Sequence, residues 1–209
     1  GANLYLVPQT LYKLHPDFDQ LLRGVLEADP AGVVAMPAAQ IDGWTAAATA
    51  RLTSALGPTL RPRLFLVRRL SFDEFTHLAR LAHVVLDPFP VGGGRSSFEV
   101  FSVATPVIML FPRTSILQLT RGMYAAMGLE DGEGSTWGDD LPSLVTHSPS
   151  EFVATAVAVG TNATLRARLN GAIAESNHRI YDREDVVEEW SEFIYYATAA
   201  PRPAAHRWW

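Results

Sequence analysis

The sequence predicts a doubly wound parallel α/β sheet. Three observations carry this. Apolar runs of strand length recur along the chain: Asn3 to Val7, Gly32 to Met36, Arg63 to Val67, Val84 to Leu86 and Thr105 to Leu110. Stretches of helical period with helix start and stop signals lie between them. A triple glycine, Gly92-Gly93-Gly94, follows the fourth run and opens a helix, so that run, helix and fifth run form a parallel crossover unit.

The elements follow in order. Asn3 to Val7 reads as a short buried strand, and Pro8 to Pro16 as the loop at its carboxyl end, where open α/β sheets gather ligands. Asp17 to Leu26 is an amphipathic helix with acids in its first turn, stopped by Asp29-Pro30. Gly32 to Met36 is the second strand, ended by Pro37. Ile41 to Gly43 is a linker, and Trp44 to Leu56 an alanine-rich helix closed by Gly57-Pro58. The strand Arg63 to Val67 precedes a helix that opens on the capping box Ser71-Phe72-Asp73-Glu74 and runs through Leu81.

After Leu110 the pattern loosens. Ser115 to Met127 reads as helix ending at Gly128, Glu130 to Asp140 as a mobile glycine-acid loop, and Leu144-Val145 as a short last strand. Helices are expected over Ser150 to Val159, Asn162 to Ile180 and Arg183 to Ala199. In the last, Val186, Val187, Trp190, Phe193 and Ile194 stand at helical spacing and are expected to be core. Pro201 to Trp209 is Pro- and Ala-rich and is expected to be a disordered tail. No solenoid repeat is present.

Composition narrows the function. With 48% hydrophobic and 19% charged residues, the chain can bury a real core. A net charge of -5 argues against a general nucleic-acid or anionic-membrane binder. The absence of cysteine excludes disulfides and thiolate metal sites, and the six histidines show no His-x-x-x-His pair, so no metal is expected. No run reaches membrane-spanning length and no signal peptide is visible, which points to a cytoplasmic or nuclear protein. A strand begins almost at the first residue, as expected of a piece of a longer chain. Lys13 is the only lysine against sixteen arginines. Its compact point charge is therefore a candidate for a function that arginine would not serve, and chance survival at a surface position is the alternative.

The stretch from Asp87 to Glu99 organises the chain. Glycines let a backbone approach a ligand closely, and the helix start beyond them suits a phosphate. The same spacing fits a turn with no ligand, and Ser96-Ser97-Phe98-Glu99 fits a capping box with Ser96 at the N-cap and Glu99 three residues on.

Three segments together resemble a known family: Pro8-Gln9-Thr10-Leu11-Tyr12-Lys13-Leu14-His15-Pro16-Asp17-Phe18-Asp19, then Asp87-Pro88-Phe89-Pro90 with its glycines and Ser96-Ser97-Phe98-Glu99, then Ala104-Thr105-Pro106-Val107-Ile108. They are similar to the catalytic region of the O-linked N-acetylglucosamine transferase and SPINDLY family, glycosyltransferase family 41. The run Phe152 to Ala158 with Arg166 to Leu169 is similar to that family's C-terminal helices. The resemblance implies a Rossmann-like C-terminal lobe of a GT-B enzyme with C-terminal helices, covering residues 3–199 and followed by the tail 200–209. This lobe holds the nucleotide-sugar, and the missing N-terminal lobe and helical repeats bind the acceptor protein.

By the same resemblance Lys13 contacts the donor diphosphate and stabilises the leaving group, with Gln9 in the same loop. Leu70 and Phe72 cradle the base. Gly93, Gly94, Arg95 and Ser96 bind the diphosphate, and Glu99 holds the ribose. The chain departs from animal members in having Gly94-Arg95-Ser96 where they have His-Thr-Thr, and Phe72 and Phe75 where they have a lysine and a histidine. Val91 stands where many retaining GT-B enzymes carry a second glutamate, which favours inversion.

The expected activity is transfer of N-acetylglucosamine from UDP-GlcNAc to Ser or Thr of proteins, without a cofactor or metal. GDP-fucose is the alternative donor. Two other readings remain. A sugar-nucleotide epimerase would need a carboxylate pair, for which only Asp87 and Glu99 offer. A degenerate lobe kept for protein contacts would fit the altered glycine turn.

Overall fold

A computed structural model describes residues 1–111, 118–130 and 140–199. The strands are β1 Asn3–Leu6, β2 Gly32–Pro37, β3 Leu64–Val67, β4 Val84–Leu86, β5 Val107–Leu110 and β6 Val145–Thr146. The helices are α1 Pro16–Ala28, α2 Asp42–Leu60, α3 Phe72–Leu81, α4 Arg95–Phe101, α5 Leu119–Met127, α6 Pro149–Thr161, α7 Ala163–Ser176 and α8 Glu184–Ala199. The strands form one six-stranded sheet in the order β3-β2-β1-β4-β5-β6, and every pairing is parallel. This is the doubly wound Rossmann-like sheet that the alternation of runs predicts.

Helices cover both faces of the central strands, which is why these read as unbroken apolar runs. Tyr5, Leu6, Val84, Val85 and Leu86 are all buried, whereas Phe65 on the edge strand β3 is half exposed. The order of strands matters more for function. From β1 the chain builds outward through β2 and β3, then returns to lay β4 against the other side of β1. The connections leaving β1 and β4 therefore diverge and open a crevice at the carboxyl ends of the strands.

Local chemistry sets the elements. α1 buries Phe18, Leu21, Leu22, Val25 and Leu26 on one stripe, starts with Pro16, and is capped by the His15 ring accepting from the Asp17 amide. Asp19 on this helix is buried and takes two bonds from Arg51 of α2, at 2.7 and 3.1 Å. The Ser71–Glu74 capping box at the start of α3 forms in both directions. α2 breaks at Gly57, with φ 66° and ψ 179°, where Gly57-Pro58 predicts its end, and a last turn runs on to Leu60. At the amino end of the sheet Asp29 accepts from Asn3 and from the Tyr5 hydroxyl, both at 2.8 Å. Arg63 gathers the carbonyls of Leu26, Asp29, Pro30 and Gly32.

Several expectations need correction. The Asn162 to Ile180 helix is two pieces, α7 and a 3-10 turn over Asn177–Ile180. The residues expected as core on the last helix are not core: Val186, Val187, Trp190, Phe193 and Ile194 face outward, and no residue of α8 is buried. Periodicity specifies a face to be covered, not what covers it, and no described residue covers this one. The start of the helix expected from Ser115, most of the Glu130 to Asp140 loop and the tail 200–209 lie outside the described residues. Among the described residues no helix is long and apolar enough to cross a membrane.

Two glycines test the packing. A Cβ on Gly160 of α6 would overlap the Tyr5 phenol, whereas one on Gly171 of α7 would meet nothing within 4 Å. Gly160→Ala is expected to cost about 1–3 kcal/mol by overpacking. Gly171→Ala is expected to gain about 0.5–1 kcal/mol from helix propensity. Urea unfolding of the two variants reads both effects.

Candidate functional site

The crevice between β1 and β4 brings the two key loops together. After β1 the chain runs through Gln9 into a 3-10 turn at Leu11–Lys13. Leu14 then bridges Pro90 of the loop that follows β4, so the two loops are joined by backbone pairing. Lys13 Nζ donates to Gln9 Oε1 at 3.0 Å and to the Gly92 carbonyl at 3.4 Å. The buried Gln9 amide donates in turn to the Ser96 hydroxyl. Gly92, Lys13, Gln9 and Ser96 thus form one connected cluster. None of the ion pairs among the described residues uses Lys13.

At Gly92 and Gly93 the turn owes its composition to close approach rather than to a left-handed backbone. A Cβ on Gly92 would press into the Asp87 carboxylate, and one on Gly93 would overlap Ser97 Oγ and Gln9 Nε2. Asp87 is the hidden support. It ends β4, is buried, and accepts the Gly93 amide at 2.6 Å and the Thr120 hydroxyl at 2.8 Å. Thr120 Oγ1 also lies 3.1 Å from Ser97 Oγ, which ties α5 to the first turn of α4. Burial pushes the Asp87 carboxyl up to about 6, against the opposing pull of Thr120, the Gly93 amide and the Lys13 charge.

The capping box expected at Ser96 and Glu99 does not form. Gly94 is the N-cap of α4 and makes no side-chain cap bond. That places Ser96 and Glu99 two positions too far into the helix to close a box. Their side chains turn elsewhere: Ser96 to Gln9, and Glu99 to Arg95, whose Nε lies 2.8 Å from its Oε1.

Beside this cluster lies a cavity of about 520 Å³, lined by Tyr12, Trp44, Arg69, Leu70, Phe72, Phe75, Arg95 and Glu99 among others. Tyr12 and Trp44 meet edge to face at 5.6 Å. The predicted site residues therefore fall in two adjoining groups. Gln9, Lys13, Gly93 and Ser96 make the polar cluster, and Leu70, Phe72, Arg95 and Glu99 line the cavity. Gly94 connects the two. A second groove, of about 850 Å³ between α1 and α6, is lined among the described residues by Asp17 and His147 but by no lysine or arginine. Phosphate chemistry therefore favours the first cavity. In the sequence Asp87 opens the organising stretch and stands as a possible acid partner for Glu99, but nothing there marks it as the buried support of the turn. Thr120 carries no motif, and only folding brings it to Asp87.

No family model matches this sequence, and no curated protein matches it in sequence. Solved structures do match in fold. A variant of the Thermobaculum terrenum O-GlcNAc transferase is similar over 95% of this chain, with a TM-score of 0.77 and 19% identity. S. aureus TarM, solved with UDP and alpha-GlcNAc-glycerol, is similar over 91% with a TM-score of 0.65 and 14% identity. The pneumococcal O-GlcNAc transferase GtfA, solved with UDP and GlcNAc, is similar over 96% with a TM-score of 0.53 and 13% identity. The fold is the Rossmann-like α/β fold of GT-B glycosyltransferases. The chain spans 38%, 35% and 37% of those three proteins.

The support under the glycine turn predicts a pH-dependent cost. The folded-state value of Asp87 lies above its ordinary 3.8. Its contribution to stability is therefore fully present below that ordinary value and is lost as pH rises through about 6. Thr120→Val removes a donor that only the ionised form strongly needs. It should cost about 1–3 kcal/mol at high pH and clearly less in acid. Thermal melts on both sides of the transition compare the two, and equal losses would reduce Thr120 to a packing role.

Proposed function

We propose that this chain is the donor-binding, C-terminal lobe of an inverting glycosyltransferase of the O-linked N-acetylglucosamine transferase and SPINDLY type. It transfers N-acetylglucosamine from UDP-GlcNAc to Ser or Thr of proteins. The observation that carries the reading is Lys13: the chain's single lysine, in no ion pair among the described residues, held by Gln9 and Gly92 at the strand-order reversal, beside a cavity with a carboxylate in its wall. The GT-B fold supports it, since ligands in such sheets bind at that reversal. Two of the similar proteins were solved with UDP.

The chemistry follows from the geometry. As the glycosidic bond breaks, negative charge develops on the departing nucleoside diphosphate. Lys13, pre-positioned by Gln9 and Gly92, stabilises that charge without reorganising, and the Ser96 hydroxyl adds a hydrogen bond. Leu70 and Phe72 give the base an apolar bed, Glu99 accepts from the ribose hydroxyls, Gly94 lets phosphate approach the backbone, and Gly93 lets the turn close on Gln9 and Ser97 beneath it. Val91, eight residues before Glu99, offers no carboxylate for a covalent intermediate, which supports inversion. The acceptor and the general base belong to the rest of a longer protein, so the isolated lobe is expected to bind donor without turnover.

One observation favours a GDP-sugar donor as a second reading. Arg69 lines the cavity beside Phe72, and an arginine fork fits the paired O6 and N7 acceptors of guanine. A thermal-shift panel of UDP, GDP and their sugars separates the two.

Lys13 and Glu99 give the direct test. Lys13→Ala should weaken nucleoside diphosphate binding about ten- to a hundredfold, the worth of a charge-assisted contact, and leave nucleoside binding nearly unchanged. Glu99→Ala should weaken both ligands, since both carry the ribose. Isothermal titration with uridine, UDP, guanosine and GDP measures this, and equal losses for both ligand types in Lys13→Ala would make the lysine structural.

A further inference from the structure

The ion pair on the first turns of α4 stands where the ribose is proposed to bind. Arg95 Nε lies 2.8 Å from Glu99 Oε1, and both side chains line the cavity. The arginine side chain is 85% exposed and the glutamate 18%. The glutamate is thus held in the wall of the cavity, while its partner reaches it from solvent. A carboxylate is an acceptor-only group, and a ribose diol asks it for two hydrogen bonds. Without a ligand, Arg95 already takes one of the acceptor sites on Oε1.

Arg95 also stands one residue before Ser96, whose hydroxyl belongs to the Lys13 and Gln9 cluster. The guanidinium, paired to Glu99, is therefore carried on the same helix turn as a hydroxyl of the proposed phosphate cluster. The two destinations are unequal. Exposed ion pairs four residues apart on a helix are among the weakest. A guanidinium on a phosphate is charge-assisted and matched in shape to bidentate binding.

We propose that Arg95 is a specificity-determining residue that makes the ribose grip conditional on phosphate. This rests on the donor site proposed above. In the free chain Arg95 holds Glu99. A nucleoside diphosphate draws the guanidinium onto its phosphates, and the freed carboxylate then accepts both ribose hydroxyls. A nucleoside has no phosphate with which to displace the arginine, so its ribose must compete with Arg95 for the Glu99 carboxylate. The site therefore rejects nucleosides by more than the phosphate contacts alone.

The proposal predicts effects of opposite sign from one substitution. Arg95→Ala should weaken UDP or GDP binding about tenfold, the loss of one charge-assisted contact. The same variant should tighten uridine or guanosine binding about twofold, because the competing pair is gone. With Glu99→Gln as background, Arg95→Ala should no longer tighten the nucleoside. Isothermal titration of the wild-type chain, both single variants and the double variant at low salt reads all four quantities. Arg95 is exposed, so its removal should leave the fold intact, and a thermal melt checks this.

Three results would overturn the proposal while leaving the donor site standing. Weaker diphosphate binding with unchanged nucleoside binding would make Arg95 a simple phosphate contact. Tighter binding of both ligands would make it a simple block. Weaker binding of both would make it a support for α4. Absence of any nucleotide binding by the wild-type chain would instead remove the donor site itself, and the proposal with it.

Discussion

The buried carboxylate of Asp87 holds the glycine turn in place, and the carboxyl edge of the sheet takes its shape from that turn. Asp87 sits where β4 ends, out of water, with the Gly93 amide and the Thr120 hydroxyl as its donors. A buried carboxylate is costly unless such donors meet it. The turn is therefore drawn in until only glycine fits at 92 and 93. Drawn in this way, it offers the Gly92 carbonyl to Lys13 and the Ser96 hydroxyl to Gln9. The backbone bridge between Leu14 and Pro90 fixes the same two loops from the other side. The cluster is thus built on two adjacent strands and one buried acid rather than on loop residues alone.

The division of labour among the basic residues follows the same physics. Arginine serves where several acceptors must be gathered. Arg63 collects carbonyls at the end of α1 and the start of β2, Arg51 grips both oxygens of Asp19, and Arg166 reaches the carbonyls of Val159 and Gly160. Its planar fork suits such tasks. The single lysine stands at the crevice, where a compact charge with rotatable donors can meet a ligand. A net charge of -5 over the whole chain conceals this local arrangement. Lys13 and Arg95 stand on the connections that leave β1 and β4, where the strand order reverses, and Arg69, beyond β3, lines the same cavity as Arg95.

Much of this was legible in the sequence, because central strands covered on both faces must be apolar throughout, and glycine turns mark where strand passes to helix. Lys13 and the glycine turn are 79 residues apart for the Gly92 contact, yet the doubly wound topology alone brings their loops side by side. What was not legible depended on register or on distant partners. The Ser96 and Glu99 pair has the composition of a capping box, but the helix starts at Gly94 and moves both out of position. Thr120 meets Asp87 across 33 residues with no local pattern to announce it. The apolar stripe of α8 was correct as a stripe and wrong as core, since amphipathic spacing carries no information about the covering surface.

The central claim is that a nucleoside diphosphate lies along this crevice, with phosphates at Lys13 and ribose at Glu99. A crystal structure of the chain with UDP or GDP bound tests it most directly. The account predicts phosphate oxygens within hydrogen-bond reach of Lys13 Nζ and the Ser96 hydroxyl, the ribose against the Glu99 carboxylate, and the base beside Leu70 and Phe72. Nucleotide seated in the groove between α1 and α6, or bound with its phosphates away from Lys13, would contradict it.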